Sequence, residues 1–293
     1  MRERSCMGIV YVYLYIISFI ASQILVYKLG QDYNAFFVLF FNCTIAIIFF
    51  NFIEICRGRL RENFRIVLGA KRKDFILVSI YVSLMWVFSY LATVESSARF
   101  SITIDFLAAF AYVNIMSRKI SLSNFVSSSL SFIAIILCIV FMPERSVIGV
   151  ISGILTGVFT GLYRIAAFNF SIKHNFSSTA ILSVRLFFLW FISLVLWLTF
   201  GNDIVATVVS ICSINIIIIF IIMAMLGMIL PTLFSQIALC KLKPYLYSRF
   251  VTTMPVIVLI LQGIVMGDWS IPAFITCLIA TVILNLESFL SRK

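Results

Sequence analysis

Long apolar runs follow one another along the whole chain, each about 20 residues or more and without strict alternation of apolar and polar positions. The pattern predicts ten helices, over about 6–29, 33–56, 74–95, 98–117, 121–142, 147–170, 177–200, 214–240, 245–266 and 270–290. A period of two, the mark of an outer-membrane barrel, is missing. Connections are short except for 57–73. The stretch from Ile204 to Cys240 is too long for one crossing at ~1.5 Å per residue. It reads as two helices, or as one crossing preceded by an interfacial stretch.

Charge chooses between these. Lysine and arginine are held on the cytoplasmic side during insertion. With ten crossings and a cytoplasmic N-terminus, most of the 22 Lys and Arg fall on that side, among them Arg57, Arg59, Arg61, Arg65, Lys71, Arg72, Lys73, Lys241 and Lys243. Lys28, Arg99 and Arg145 fall outside. An eleventh crossing would move Lys241, Lys243, Arg292 and Lys293 outward. Ten is kept, with both termini cytoplasmic. The net charge of +11 is then a topology signal with some affinity for anionic lipid, and no sign of nucleic-acid binding.

Composition agrees. Hydrophobic residues make up 63%, charged residues 11%, and mean hydropathy is +1.15. Such a chain has no charge to spare for a soluble surface. The fold class expected is an all-α integral membrane protein. Arg2 and Arg4 precede a long run without a good cleavage site, which predicts an uncleaved first helix. The seven cysteines are scattered, and His174 is the one histidine. No P-loop, nucleophile elbow or paired carboxylates occur. No enzyme, metal or cofactor is therefore expected.

A shift of 150 residues places Ala98-Arg99-Phe100-Ser101-Ile102-Thr103 on Ser248-Arg249-Phe250-Val251-Thr252-Thr253. The shared Arg-Phe-x-x-Thr sits at the start of the fourth helix of each five. Five is odd, so the halves, 1–145 and 146–293, would be inverted in the membrane, a common design of secondary transporters.

With Gln236-Ile237-Ala238-Leu239, Pro244, Met254-Pro255-Val256 and Gly267-Asp268, the chain resembles the drug/metabolite transporter superfamily, of the EamA-like ten-helix type. The first half departs from the pattern: Asp105 falls where Pro255 lies in the second, and Ser117-Arg118 where Gly267-Asp268 lies. The resemblance implies a transporter of small metabolites whose third and eighth helices help line the cavity. It also matches Arg185, where the second helix of a repeat often carries arginine.

The polar residues inside the apolar runs are the candidate site. Gly153, Gly157 and Gly161 share one helix face, for tight packing or for a sliding surface. Arg164 and Arg185 lie at one level, ~10–12 Å above the cytoplasmic end at ~1.5 Å per residue. Like charges at one level repel unless they face apart or share an anion. Each could instead snorkel to the interface. Asp105 is the carboxylate well inside a run: protonated, paired through water, or on a substrate or proton path. Arg164 counts as much deeper, against a direct pair. Tyr163, Trp86, Gln236 and Gln23 complete the substrate-binding set, with Trp86 and Gln236 matching across the shift. Arg99 and Arg249 read as snorkelling anchors, with a gating role as the alternative.

These residues favour a secondary transporter of the bacterial inner membrane, monomer or homodimer. It would move a zwitterionic or anionic metabolite, amino-acid-like ahead of nucleotide-like, by alternating access. Export is favoured on family habit, and Asp105 could carry a coupled proton. A flippase for a lipid or lipid-linked carrier, and a non-transporting membrane partner such as an immunity protein, are the alternatives.

Overall fold

The computed structural model describes residues 2–69, 72–116, 122–142, 146–174, 178–201, 213–242, 247 and 250–290. Side chains at 2–5, 66, 68, 122–124, 168–169, 171–174, 178, 236, 239–240 and 286–290 are not described. All regular structure among these residues is helical. The helices are α1 Arg2–Leu29, α2 Ala35–Cys56, α3 Leu60–Leu68, α4 Arg72–Glu95, α5 Ala98–Ile115, α6 Leu122–Phe141, α7 Val147–His174, α8 Ser178–Phe200, α9 Ile214–Ala224, α10 Leu230–Lys241, α11 Met254–Met266 and α12 Ile271–Leu290. Seven stretches are long and apolar enough to cross a membrane, in α1, α2, α4, α5, α7, α8 and the combined α9–α10 segment. Shorter apolar helices run over Phe125–Phe141, Met254–Met266 and Ile271–Asn285. The chain has the make-up of an all-α, multi-pass membrane protein.

Within the long stretch that began at Ile204, 202–212 lie outside the described residues. From Ile214 the chain is helical to Lys241, through a π-helical turn at Met225–Ile229. Pro231 explains the turn. Proline has no N–H, and its ring collides with the carbonyl four residues back, so the helix widens just before it. The Leu230 N–H bonds back five residues, to Met225 O. Gly227 in that turn lies against Ser22 of α1.

Helix α5 begins on a side-chain cap, with Ser97 Oγ accepting from the Phe100 N–H. It is buried along nearly its full length, because α7 lies against it at close range. Gly153, Gly157 and Gly161 face Ile104, Ala108 and Tyr112, each four residues apart. A Cβ at Gly157 would lie 2.5 Å from Ala108 Cβ, 2.6 Å from Asp105 O and 2.7 Å from Ala109 N. The stripe is therefore a packing seam that brings the two backbones together.

Polar contacts sort the helix ends into two groups. At one end Asn34 Nδ2 donates to Phe200 O, Ser146 Oγ to Glu95, and Arg99 to Asp268. At the other, Arg57 Nη1 donates to Glu54 and to Thr179, and Lys241 sits over the Tyr11 ring. This second end carries Arg59, Arg61, Arg65, Arg72 and Lys73, all exposed, and is the basic end.

Gly157→Val should force α5 and α7 apart, since its neighbours are backbone atoms and a Cβ with nowhere to go. The expected loss is about 1–3 kcal/mol, read as a lower unfolding temperature in detergent. Gly153→Ala should lose less, because it meets only the Ile104 side chain, at 3.0 Å. Equal stability of the two variants would contradict the seam.

Candidate functional site

Asp105, on α5, sits one residue before Phe106, where the seam brings α7 close. Thr160, one turn below Gly157 on α7, donates to Asp105 Oδ1 at 2.9 Å. Both residues are buried. Arg164 follows Thr160 by one turn on the same face, and its guanidinium carbon lies 5.4 Å from the centre of the Phe106 ring. A cation over an aromatic face is attracted to it, which offsets part of its desolvation. Arg164 and Asp105 lie within electrostatic reach of one another. Residue counting set Arg164 deeper than Asp105, against a direct pair. Helix α7 runs alongside α5 with Gly153 against Ile104 and Gly157 against Ala108, so Thr160 and Arg164 start deeper than Asp105 and reach it and Phe106 through their side chains. No ion pair joins them among the described residues.

Arg185, on α8, points its Nη1 at Tyr163 Oη, donating at 2.9 Å. It is buried, and its Nε meets no hydrogen-bond partner among the described residues. Tyr163 precedes Arg164, so both arginines converge on one turn of α7. Two tyrosines absent from the sequence-based set close the ring. Tyr15 of α1 stacks on Tyr247 with ring centres 6.2 Å apart, and Tyr247 Oη shares a hydrogen bond of 2.8 Å with Ser235 of α10. Tyr15 and Tyr247 both lie within electrostatic reach of Arg164, and Tyr15 also of Asp105. Thr160 was legible in principle, one turn from Arg164. Tyr15 and Tyr247 were not, since only tertiary packing joins them.

Arg164, Tyr163 and Tyr15 are half-buried rather than sealed. Arg164 makes no hydrogen bond or ion pair to a described residue. The cluster thus holds two guanidinium groups against one carboxyl, and Asp105 Oδ2 takes no donor from a described residue. It can receive an anion at the arginines and a hydrogen-bond donor or cation at Asp105.

Gln23 and Trp86 make no hydrogen bond or ring contact to Asp105, Arg164 or Arg185 among the described residues. Gln23 is fully buried and accepts from Thr93 of α4 at 2.7 Å, tying α1 to α4. Trp86 packs edge-on against Phe19 and Tyr90, and Tyr90 Oη accepts from Asn42 at 2.7 Å. The Gln236 side chain lies outside the described residues, as do Ser248 and Arg249 of the Arg-Phe-x-x-Thr match.

Arg99 corrects an expectation. It does not snorkel: it is fully buried. Its Nη2 reaches Asp268 Oδ2 at 2.7 Å, its Nη1 reaches Asp268 O at 3.1 Å, and its backbone N–H donates to Gln262 Oε1 at 2.9 Å. Gly267 ends α11 at φ 68°, a left-handed turn that glycine adopts without strain, and so aims Asp268 across at α5. Residue counting saw only the distance of Arg99 from the helix end. Its partner is 169 residues away.

A solved crystal structure of a protein at 12% sequence identity covers 98% of this chain and 98% of its own length, with a TM-score of 0.66. It is one of 24 matching solved chains. This likeness shows a shared fold. No family model matches the sequence, and no curated protein does.

Asp268→Ala leaves a buried guanidinium without this carboxylate, whereas Arg99→Met removes the charge as well. The first should cost about 2–3 kcal/mol, low in the range for broken buried pairs because Asp268 is half-exposed, and the second less. Chemical denaturation of the two variants checks the order. Arg99→Met proving the less stable would contradict the ion pair as the reason Arg99 is tolerated.

Proposed function

We propose that this chain is a secondary transporter of the kind its sequence resembles, the drug/metabolite transporter superfamily. Ten crossings form two inverted halves, 1–145 and 146–293, and the clustered polar residues bind a small zwitterionic or anionic metabolite, amino-acid-like by preference. The observation that carries this reading is the charge imbalance at the centre. Arg164 is half-buried with no hydrogen bond to a described residue, Arg185 Nε meets no partner among the described residues, and Asp105 is the single carboxyl beside them. A carboxylate-bearing solute would supply the missing acceptors, and its ammonium group would meet Asp105 Oδ2. Tyr15, Tyr163 and Tyr247 would flank it.

Packing supports the inverted halves. Helix α4 lies along α7, and α1 lies along α10, its counterpart pair under a five-helix exchange. Helices α2 and α8 pack together, as do α6 and α12, each pair being its own counterpart. The basic end is cytoplasmic on the positive-inside rule. The opposite end is then held shut by Arg99 and Asp268, which bridge the halves. Opening outward requires that bond to break, and this fits alternating access with the closed end facing out. The bacterial inner membrane is the setting, and export the favoured direction.

Arg164→Leu should fold and insert normally, because it removes a charge from an apolar setting. Substrate affinity should fall roughly tenfold to a hundredfold, the value of one charge-assisted contact at ~1.5–3 kcal/mol. Flux of a panel of radiolabelled amino acids and other carboxylates into proteoliposomes is the measurement. Arg164→Lys should recover part of the loss if the contact is a point charge, and little if it is bidentate. Wild-type flux and affinity in the leucine variant would sink the proposal.

A further inference from the structure

We infer that a groove at the basic end, walled by α2, α3 and α8, is a binding site for one acyl chain of an anionic phospholipid, its headgroup held by the arginines of α3. The inference rests only on the chain lying in a bilayer, and stands apart from the transport reading.

The groove has a volume of about 490 Å³. Ile48, Phe52 and Ile55 of α2, Leu60 and Phe64 of α3 and Phe187 of α8 form its apolar wall. Asn51, the polar residue in the wall, directs its Nδ2 to Ile47 O at 2.8 Å and Ser183 O at 3.3 Å, and so presents no free donor there. None of these residues belongs to the central cluster.

Helix α3 makes the groove a shaped site rather than a gap. Sequence reading took 57–73 as a loop. The chain instead turns at Gly58, with φ 66°, and re-enters a helix of 9 residues. Glu54, buried at the end of α2, fixes this helix: Asn63 Nδ2 donates to its Oε2 at 2.7 Å and Arg57 Nη1 to its Oε1 at 3.2 Å. Arg57 Nη1 also reaches Thr179 of α8 at 2.8 Å. Val67 plugs into a small core with Phe75, Val78, Phe170 and Val184. The wall on the α3 side is therefore fixed before any ligand arrives.

The rim decides the occupant. At about 100° per residue, the faces of α3 run in order from Asn63 and Val67, packed inward, to Leu60 and Phe64, in the groove, then to Arg61 and Arg65. Both arginines are exposed, as is Arg59 at the helix start. Glu62, the acid of this helix, points further round, away from the groove. An apolar slot bordered by arginines at the cytoplasmic headgroup level matches a lipid with apolar tail and negative head. A second copy of the chain would bring the same arginines face to face, and a neutral lipid would leave them unanswered.

The test is lipid retention by the purified protein in native mass spectrometry, after exchange with mixed phosphatidylcholine and phosphatidylglycerol micelles. Wild type should retain phosphatidylglycerol in preference. Arg61→Gln/Arg65→Gln should reduce that preference about thirtyfold, at roughly fivefold per arginine. The control Arg72→Gln/Lys73→Gln removes two exposed charges away from the groove and should leave the preference intact. Ile48→Trp, which fills the slot, should lower retention of both lipids. Equal retention of the two lipids by wild type, or an equal loss in the control, would show only diffuse attraction and overturn the site. A dimer cross-linked through Phe52→Cys with no lipid retained would overturn it in favour of a second copy. Transport activity enters none of these readouts.

Discussion

Hydrocarbon offers no hydrogen bonds, so a charge inside this bundle must be answered by the protein or left for what the protein binds. Three arginines of the described helices are buried or half-buried, Arg99 at a helix start and Arg164 and Arg185 further in, and they meet this constraint differently. Arg99 is met by the Asp268 carboxylate, brought within 2.7 Å by the left-handed turn at Gly267. Arg185 is answered in part, by the hydroxyl of Tyr163. Arg164 has the Phe106 ring and the distant pull of Asp105, and no hydrogen bond to a described residue. The first gives a structural tie between α5 and the α11–α12 turn. The last leaves an acceptor wanting, at the place where α1, α5, α7, α8 and α10 come together.

The glycine seam and the site are one arrangement. Because Gly157 lets α7 touch the backbone of α5 at Asp105, Thr160 falls within bonding distance of the Asp105 carboxyl, and Arg164 falls on Phe106 one turn later. A bulkier residue at 157 would separate the groups that make the cluster. The π-helical turn before Pro231 has a matching part in the other wall, setting Gly227 against Ser22 of α1 and carrying the chain on to Ser235, which holds Tyr247.

Much of the fold was legible because apolar runs and charge reversals are local signals. The seven stretches long and apolar enough to cross a membrane all fall on apolar runs of the sequence. Helix α3 was missed because its nine residues carry three charges, with Arg59 a fourth just before it, although Leu60, Phe64 and Val67 fall at helical spacing on one face. Asp105, Tyr163, Arg164 and Arg185 could be picked out because ionisable groups in apolar runs stand out, and the fold brings them into one cluster. Gln23 and Trp86 were picked out as neutral polar and aromatic residues in such runs. Gln23 touches Thr93, and Trp86 touches Phe19 and Tyr90. Tyr15 and Tyr247 gave no signal, since a tyrosine in a membrane helix is ordinary and only the fold brings the two rings together. Arg99 was misjudged because its partner is remote in sequence.

The claim at the centre is that Arg164 faces water and solute rather than lipid. Its most direct measurement is chemical access. In a chain with the seven native cysteines replaced, Arg164→Cys is exposed to a membrane-impermeant, charged thiol reagent from each side of sealed vesicles. The account predicts rapid modification from the basic side, slowed by a saturating carboxylate solute. A thiol at 164 that reacts from neither side would contradict it, and Arg164 would then be a lipid-facing or packed residue with no part in binding.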